Sequence, residues 1–241
     1  MAAAASAAAA VVRLGRRVVA AGLVVGAGGN ASMRTGPDRI LVTPSAVPLD
    51  EVGASDLVAL GLDGLGAHHG LGGHHRLGGP VAAGAVRAGG GAARRPSSES
   101  PMHLAAHRAR PDAAVVLHVH PPHANLLVAT GHQVRLITTD HAYYVRRTAT
   151  VPYLPSGTEE LADAVAALLA EVDVVLLASH GALVVAPDAE VAYERAANLE
   201  AAATATYRAL LLGDTTTACP PEYLARVEAL EAEAGGPVYG R

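Results

Sequence analysis

Residues 117–123, LHVHPPH, place three histidines in seven positions, directly after the apolar run AAVVL. In a strand, side chains two apart share a face. His118 and His120 therefore project side by side, with Val119 turned the other way. Two imidazoles on one face can hold a single metal ion, or can simply hydrogen-bond at a strand end. Pro121-Pro122 ends the strand there, near the carboxyl end where open α/β folds place ligands. A catalytic zinc takes a third protein ligand and keeps one open position. His180 is the best candidate: it follows the apolar run DVVLLAS and precedes Gly181, which allows close backbone approach.

Glu99 belongs to the same chemistry. A carboxylate beside a divalent cation can bind it, or act as a general acid/base once substrate displaces it. An acidic residue in a first helical turn also favours the helix dipole without any catalytic role, and both readings stay open on local sequence. The remaining histidines carry less signal. His103 and His107, four apart on one helix face, read as solvated or core-edge residues. His68, His69, His74 and His75 lie in a low-complexity stretch, and His123, His132 and His141 show no spacing of their own.

The elements that must position these groups alternate between helix and strand. Helices are predicted over 7–25, over the segment 97–112 capped by Ser97 or Ser98 with Glu99 in its first turn, over 122–130, over 157–172 and over 188–213. A Gly-rich turn leading into a short strand is predicted over 26–34, and strands over 39–45, 113–120 and 134–140, with two short ones flanking Ser179-His180-Gly181. Residues 49–60 mix a short helix with the start of a strand. Alternation without a G-x-G-x-x-G fingerprint predicts a three-layer α/β/α sandwich rather than a dinucleotide fold. Residues 61–96, rich in Gly, His and Arg, read as a flexible insertion, and 214–241 as a tail.

Bulk properties narrow the function. The 241 residues are 51% apolar, enough for one sizeable domain spanning 1–241. The net charge of −4 offers no basic field for nucleic acid. Cys219 is the only cysteine, so no disulfide framework exists, which fits a reducing cytoplasm. Arg16-Arg17 before VVAAGLVV mimics a twin-arginine export signal, but the apolar stretch is short, and the segment reads as an amphipathic helix with solvent-facing arginines. No apolar run long enough to span a membrane occurs.

Four segments in order, GNASMR (29–34), TPSAVP (43–48), SSE (97–99) with HVHP (118–121), and SHG (179–181), resemble the class II aldolase/adducin-type family. That family includes L-fuculose-phosphate aldolase and L-ribulose-5-phosphate 4-epimerase. The resemblance covers about residues 8–212 apart from the insertion. It implies a zinc-dependent cytoplasmic enzyme with an α/β/α fold, a central mixed and largely antiparallel sheet, and often a homotetramer with active sites between subunits. It implies that His118, His120 and His180 bind one Zn²⁺ and that Glu99 ligates the resting metal and shuttles protons. A phosphate pocket would comprise Gly29, Asn30, Ser45, Ala46, Ser97 and Ser98. Tyr143 or Tyr144 would be the aromatic donated across the subunit interface. The implied reaction is reversible retro-aldol cleavage of a small sugar phosphate, with zinc stabilising an enediolate as a Lewis acid.

Glu99 and Tyr143 favour an aldolase over the related epimerases, which carry aspartate and an acidic residue at those places. Retention of the three histidines distinguishes the chain from the non-enzymatic adducins. Ser179 in place of the usual asparagine, Ala46 in place of a usual glycine, and the 61–96 insertion are departures. Another metal lyase on the same scaffold (dehydratase, decarboxylase or epimerase), or a non-catalytic oligomeric module, are the alternatives.

Overall fold

The computed structural model describes residues 2–63 and 94–235. The chain runs α1 (Ala2–Ala20), β1 (Asn30–Gly36), β2 (Arg39–Val42), a 3₁₀ turn (Ala54–Asp56), β3 (Val58–Gly61), α2 (Ser100–Ala109), β4 (Val115–Val119) and α3 (Pro122–Ala129). It continues with α4 (Thr139–Val145), β5 (Thr148–Val151), α5 (Glu159–Leu168), β6 (Val174–Leu177), β7 (Gly181–Ala186), α6 (Ala189–Leu211) and α7 (Pro221–Ala234). The strands form one sheet in the order β3-β2-β1-β4-β7-β6-β5. Among the described residues only the β5–β6 pair is parallel, and α5 supplies the crossover that a parallel pair needs. The mixed, largely antiparallel α/β/α sandwich is thus as the sequence implies.

Strand β4 sits at the centre and is buried along its whole length. Its alternation divides the core. Val115, Leu117 and Val119 join α1, α3 and α6 on one face, while Val116 joins α2 and α5 on the other. His118, with the parity of Val116, is delivered to the α2 side. Asn30 of β1 pairs with His118, and Val119 pairs with Ala182 beside the start of β7. The ends that carry the candidate residues therefore gather at one edge of the sheet.

Several local expectations need correction. Helix α1 ends at Ala20 rather than near 25 because Gly22, with φ +70°, turns the chain. Its apolar face packs into the core while Arg13 and Arg16 face solvent and Arg17 pairs with Glu190 and Glu194. Residues 134–140 form no strand: the Arg135 amide donates to the Thr206 hydroxyl instead of a ladder, and Thr138 caps α4 by accepting from the His141 amide. Strand β5, TATV, is short and follows two arginines, so its pattern alone does not mark a strand. The tail holds α7, clamped by Arg146–Glu231 at 2.6 Å and Arg147–Glu228 at 3.0 Å. Of the 61–96 insertion, residues 64–93 lie outside the described residues. At its near end Gly61 closes β3, and at its far end Pro96 bridges Pro44 and the Ser97 amide donates to the Thr43 carbonyl.

Candidate metal centre and active site

Three imidazoles converge at that sheet edge. His118 is fully buried on β4, and His120 lies just beyond the strand end. His180 sits in the tight β6–β7 turn, with its amide donating to the Leu177 carbonyl and its own carbonyl accepting from Asn125. One ligand nitrogen from each lies within 4.8 Å of the others. The His118 and His120 rings meet edge to face at 4.8 Å, as do those of His118 and His180. Gly181 makes this approach possible. A Cβ there would stand 2.5 Å from the Val119 carbonyl oxygen, 2.7 Å from the His120 ring and 2.9 Å from the His118 ring.

Glu99 closes the cluster. It is the N-cap residue of α2, not part of its first turn, and it makes no side-chain cap of that helix. Its amide donates to the Ser97 hydroxyl at 3.2 Å, so the carboxylate is free to point at the histidines. Oε2 lies 3.1 Å from His118 Nε2 and Oε1 lies 3.1 Å from His180 Nε2. Two further donors hold it: Asn30 Nδ2 at 2.8 Å on Oε2, and Ser156 Oγ at 2.8 Å on Oε1. Ser156 lies 57 residues downstream in an irregular loop, and no motif in the sequence marks it.

The electrostatics fit a cation. Burial alone would raise the Glu99 carboxyl, but the contacts to His118, His180 and Asn30 outweigh it and hold the group well below the usual carboxylate range. Burial, then the neighbouring His118 and His180, push His120 down to about 4, so it is neutral near pH 7, the form in which an imidazole can bind a metal. His118 Nδ1–H donates to the Ala182 carbonyl at 3.0 Å. His118 Nε2 then faces the Glu99 carboxylate at 3.1 Å, with His120 Nε2 2.9 Å away. Ring nitrogens and a carboxylate packed this closely are stabilised by positive charge among them, whether a proton or a bound cation. A carbonyl on the far nitrogen that fixes the tautomer is also the usual support of a metal-ligating histidine.

Beside the cluster lies a cavity of about 170 Å³. Gly29, Asn30, Ser45, Ala46, Ser97 and Ser98 all line it, together with Glu99, His120, Ser156 and His180. Tyr143 does not; it lies on α4, edge-on to Tyr144 at 5.1 Å. Gly29 has φ +71°, and a Cβ there would meet Val24 at 2.6 Å and the His118 carbonyl oxygen at 2.9 Å. Ala46 and Ser179 take left-handed backbone at φ +59° and +57°, a cost that non-glycine residues bear most often at functional sites.

His103 and His107 are not at the core edge: both are fully buried. Each is pushed down to about 3, His103 mainly by burial and then His107 and His118, His107 mainly by burial and then Arg34. Their neutral native forms take up protons later than the unfolded chain does. The stability they leave intact near neutrality is therefore lost as pH falls from about 6.5 towards 3, by about 2 kcal/mol per ring at pH 5. Urea titrations at pH 7.5 and 5 should show a smaller pH-dependent loss for His107→Gln than for wild type by about that amount.

The α/β/α sandwich thus gathers three imidazoles that could hold a metal ion, with a carboxylate, beside a hydroxyl-lined cavity. The family model of the Class II Aldolase and Adducin N-terminal domain matches residues 9–207, and this chain belongs to that family. The 5-deoxy-D-ribulose 1-phosphate aldolase of Bacillus thuringiensis serovar kurstaki is 28% identical over 85% of this chain and 85% of that one. The L-fuculose phosphate aldolase of Methanocaldococcus jannaschii is 28% identical over 78% of this chain and 89% of its own. Among solved structures, the L-fuculose-1-phosphate aldolase from Thermus thermophilus superposes with a TM-score of 0.66 at 28% identity, covering 86% of this chain and 96% of that one.

Proposed function

We propose that this chain is a zinc-dependent class II aldolase that reversibly cleaves a small phosphorylated ketose of the L-fuculose-1-phosphate kind. The observation that carries the reading is the convergence of His118, His120, His180 and Glu99 on one point at the cavity wall. Two relatives named as sugar-phosphate aldolases support it. So does the composition: these 241 residues contain no lysine, so a lysine Schiff base within the chain is not available to activate a carbonyl. A divalent cation held by the three histidines and, at rest, Glu99 would supply Lewis-acid polarisation of the substrate carbonyl.

The chain's own residues do the rest. Ser45, Ser97 and Ser98 offer hydroxyl donors, and Gly29 and Ala46 leave room, for a phosphate whose binding orients the reacting carbons. Asn30 lines the same wall, with its side chain engaged by Glu99 and His103. Glu99 moves the proton at the carbon that gains the electron pair when the carbon–carbon bond breaks. Asn30 and Ser156 keep its two oxygens apart and aimed. By the family resemblance, Tyr143 or Tyr144 would act from a neighbouring subunit of a homotetramer; within its own subunit Tyr143 stands outside the cavity. The enzyme works in the cytoplasm; among the described residues no helix is long and apolar enough to cross a membrane.

The test is metal content and product analysis. Wild type should hold about one more zinc per subunit than His118→Ala, a difference that subtracts any ion scavenged by other histidines. It should yield two carbonyl products from a ketose 1-phosphate. Equal metal in both proteins, or a single dehydrated product, would refute this reading.

A further inference from the structure

Two fully buried histidines outside the cluster of three, His103 and His107, are joined to it by an unbroken line of buried side chains. Glu99, His103 and His107 recur every four residues along the start and inner face of α2, and Asn30 and Ser32 recur every two along β1. The two ladders interlock. Asn30 Nδ2 meets Glu99 Oε2 at 2.8 Å, and Asn30 Oδ1 meets His103 Nε2. His103 Nδ1 meets Ser32 Oγ at 2.7 Å, and Ser32 Oγ meets His107 Nε2 at 2.9 Å. Asn30 is 6% exposed, while Ser32, His103 and His107 are at 0%, so water does not compete along the line.

The direction of every proton in it follows from its end. An ionised carboxylate only accepts, so Asn30 must turn its NH₂ to Glu99 and its oxygen to His103. His103 must then carry its proton on Nε2, which leaves Nδ1 to accept from the Ser32 hydroxyl. The Ser32 oxygen in turn accepts from His107 Nε2–H. Reversing any link would set two acceptors or two donors face to face in a buried space, at the cost of desolvating both.

We propose that His103 is a positioning residue for catalysis, aiming the Glu99 carboxylate through Asn30, with Ser32 and His107 fixing its tautomer. This rests on Glu99 acting in the proposed cleavage. The His103 ring lines no part of the cavity and reaches Glu99 only through Asn30, although the His103 amide donates to the Glu99 carbonyl as part of α2. It acts by denying Asn30 the flipped orientation in which the amide oxygen would repel Glu99.

In the full-length metal-loaded protein, His103→Leu should lower kcat by about 10–100-fold while KM changes less than about threefold and metal per subunit is unchanged. His107→Leu, two links further from Glu99, removes an equally buried ring and should change kcat by less than about threefold. A merely structural role for His103 would lower the stability of both variants alike without this separation of kcat from KM. Ser32→Ala, a smaller change, covers the case in which His103→Leu does not fold and should lower kcat by about threefold or more. Histidine-selective ¹⁵N spectra of the wild type at pH 7.5 give a reading independent of aldolase activity: His103 should be the Nε2–H tautomer, and in Ser32→Ala that preference should weaken. An Nδ1–H tautomer at His103 overturns the inference whatever the activity. Unchanged kcat in folded His103→Leu overturns it in an active enzyme. Absence of aldol cleavage in wild type with the Nε2–H tautomer present would reject the proposed reaction and leave the relay standing.

Discussion

Glu99→Gln should lower the rate of ketose 1-phosphate cleavage by about 10²–10⁴-fold, the range for removal of a positioned general acid/base. Glutamine matches glutamate in size, and one amide oxygen can still accept from Asn30 or Ser156, which lie at 2.8 Å from the present carboxylate. The fold is therefore retained. The three histidines also remain, so metal per subunit should stay close to wild type. What is lost is a group that can take and return a proton near neutrality, together with the negative charge that two imidazoles and an amide now stabilise against burial. Measuring kcat beside metal content separates the roles. Full metal with little cleavage assigns Glu99 the proton; loss of both makes it mainly a ligand. Undiminished cleavage would remove Glu99 from the mechanism.

Gly181→Ala should have the second large effect, on the site and on the fold together. The new methyl would stand 2.5 Å from the Val119 carbonyl oxygen. That oxygen belongs to the central strand, which is fully buried and held by neighbours on both sides, so it has little room to retreat. The rings of His120 and His118, at 2.7 and 2.9 Å, would be pushed outward instead. Overpacking of this kind costs about 1–3 kcal/mol. A ligand displacement of about 1 Å is enough to spoil a catalytic geometry. The expected result is a folded protein of reduced thermal stability that copurifies with little zinc. Full metal occupancy in Gly181→Ala would show that the β6–β7 turn does not set the ligand spacing.

The three histidines that the fold clusters were legible because each rests on local geometry. His118 and His120 share a face by the two-residue repeat of an extended chain, and Pro121 marks where that repeat stops. His180 and Gly181 form a turn between two short apolar strands, a pattern visible within fifteen residues. The buried relay was half legible. Glu99, His103 and His107 at helical spacing, and Asn30 and Ser32 at strand spacing, are both present in the sequence. Nothing local says that these two faces meet, and taken alone the histidines read as core-edge residues.

What the sequence by itself determined is the set of groups that can do chemistry and the element that presents each, since helix and strand periodicities are properties of the backbone. It also determined the largely antiparallel α/β/α class, through the alternation of elements and the family resemblance. What only the tertiary structure decided is which groups act together: the second clamp on Glu99 from Ser156, the burial that keeps His103 and His107 neutral, and the irregular path of 134–138 beneath α6. Those depend on contacts between segments up to 75 residues apart. Whether a buried polar group is paired or stranded is settled by its partner across the fold, not by its neighbours along the chain.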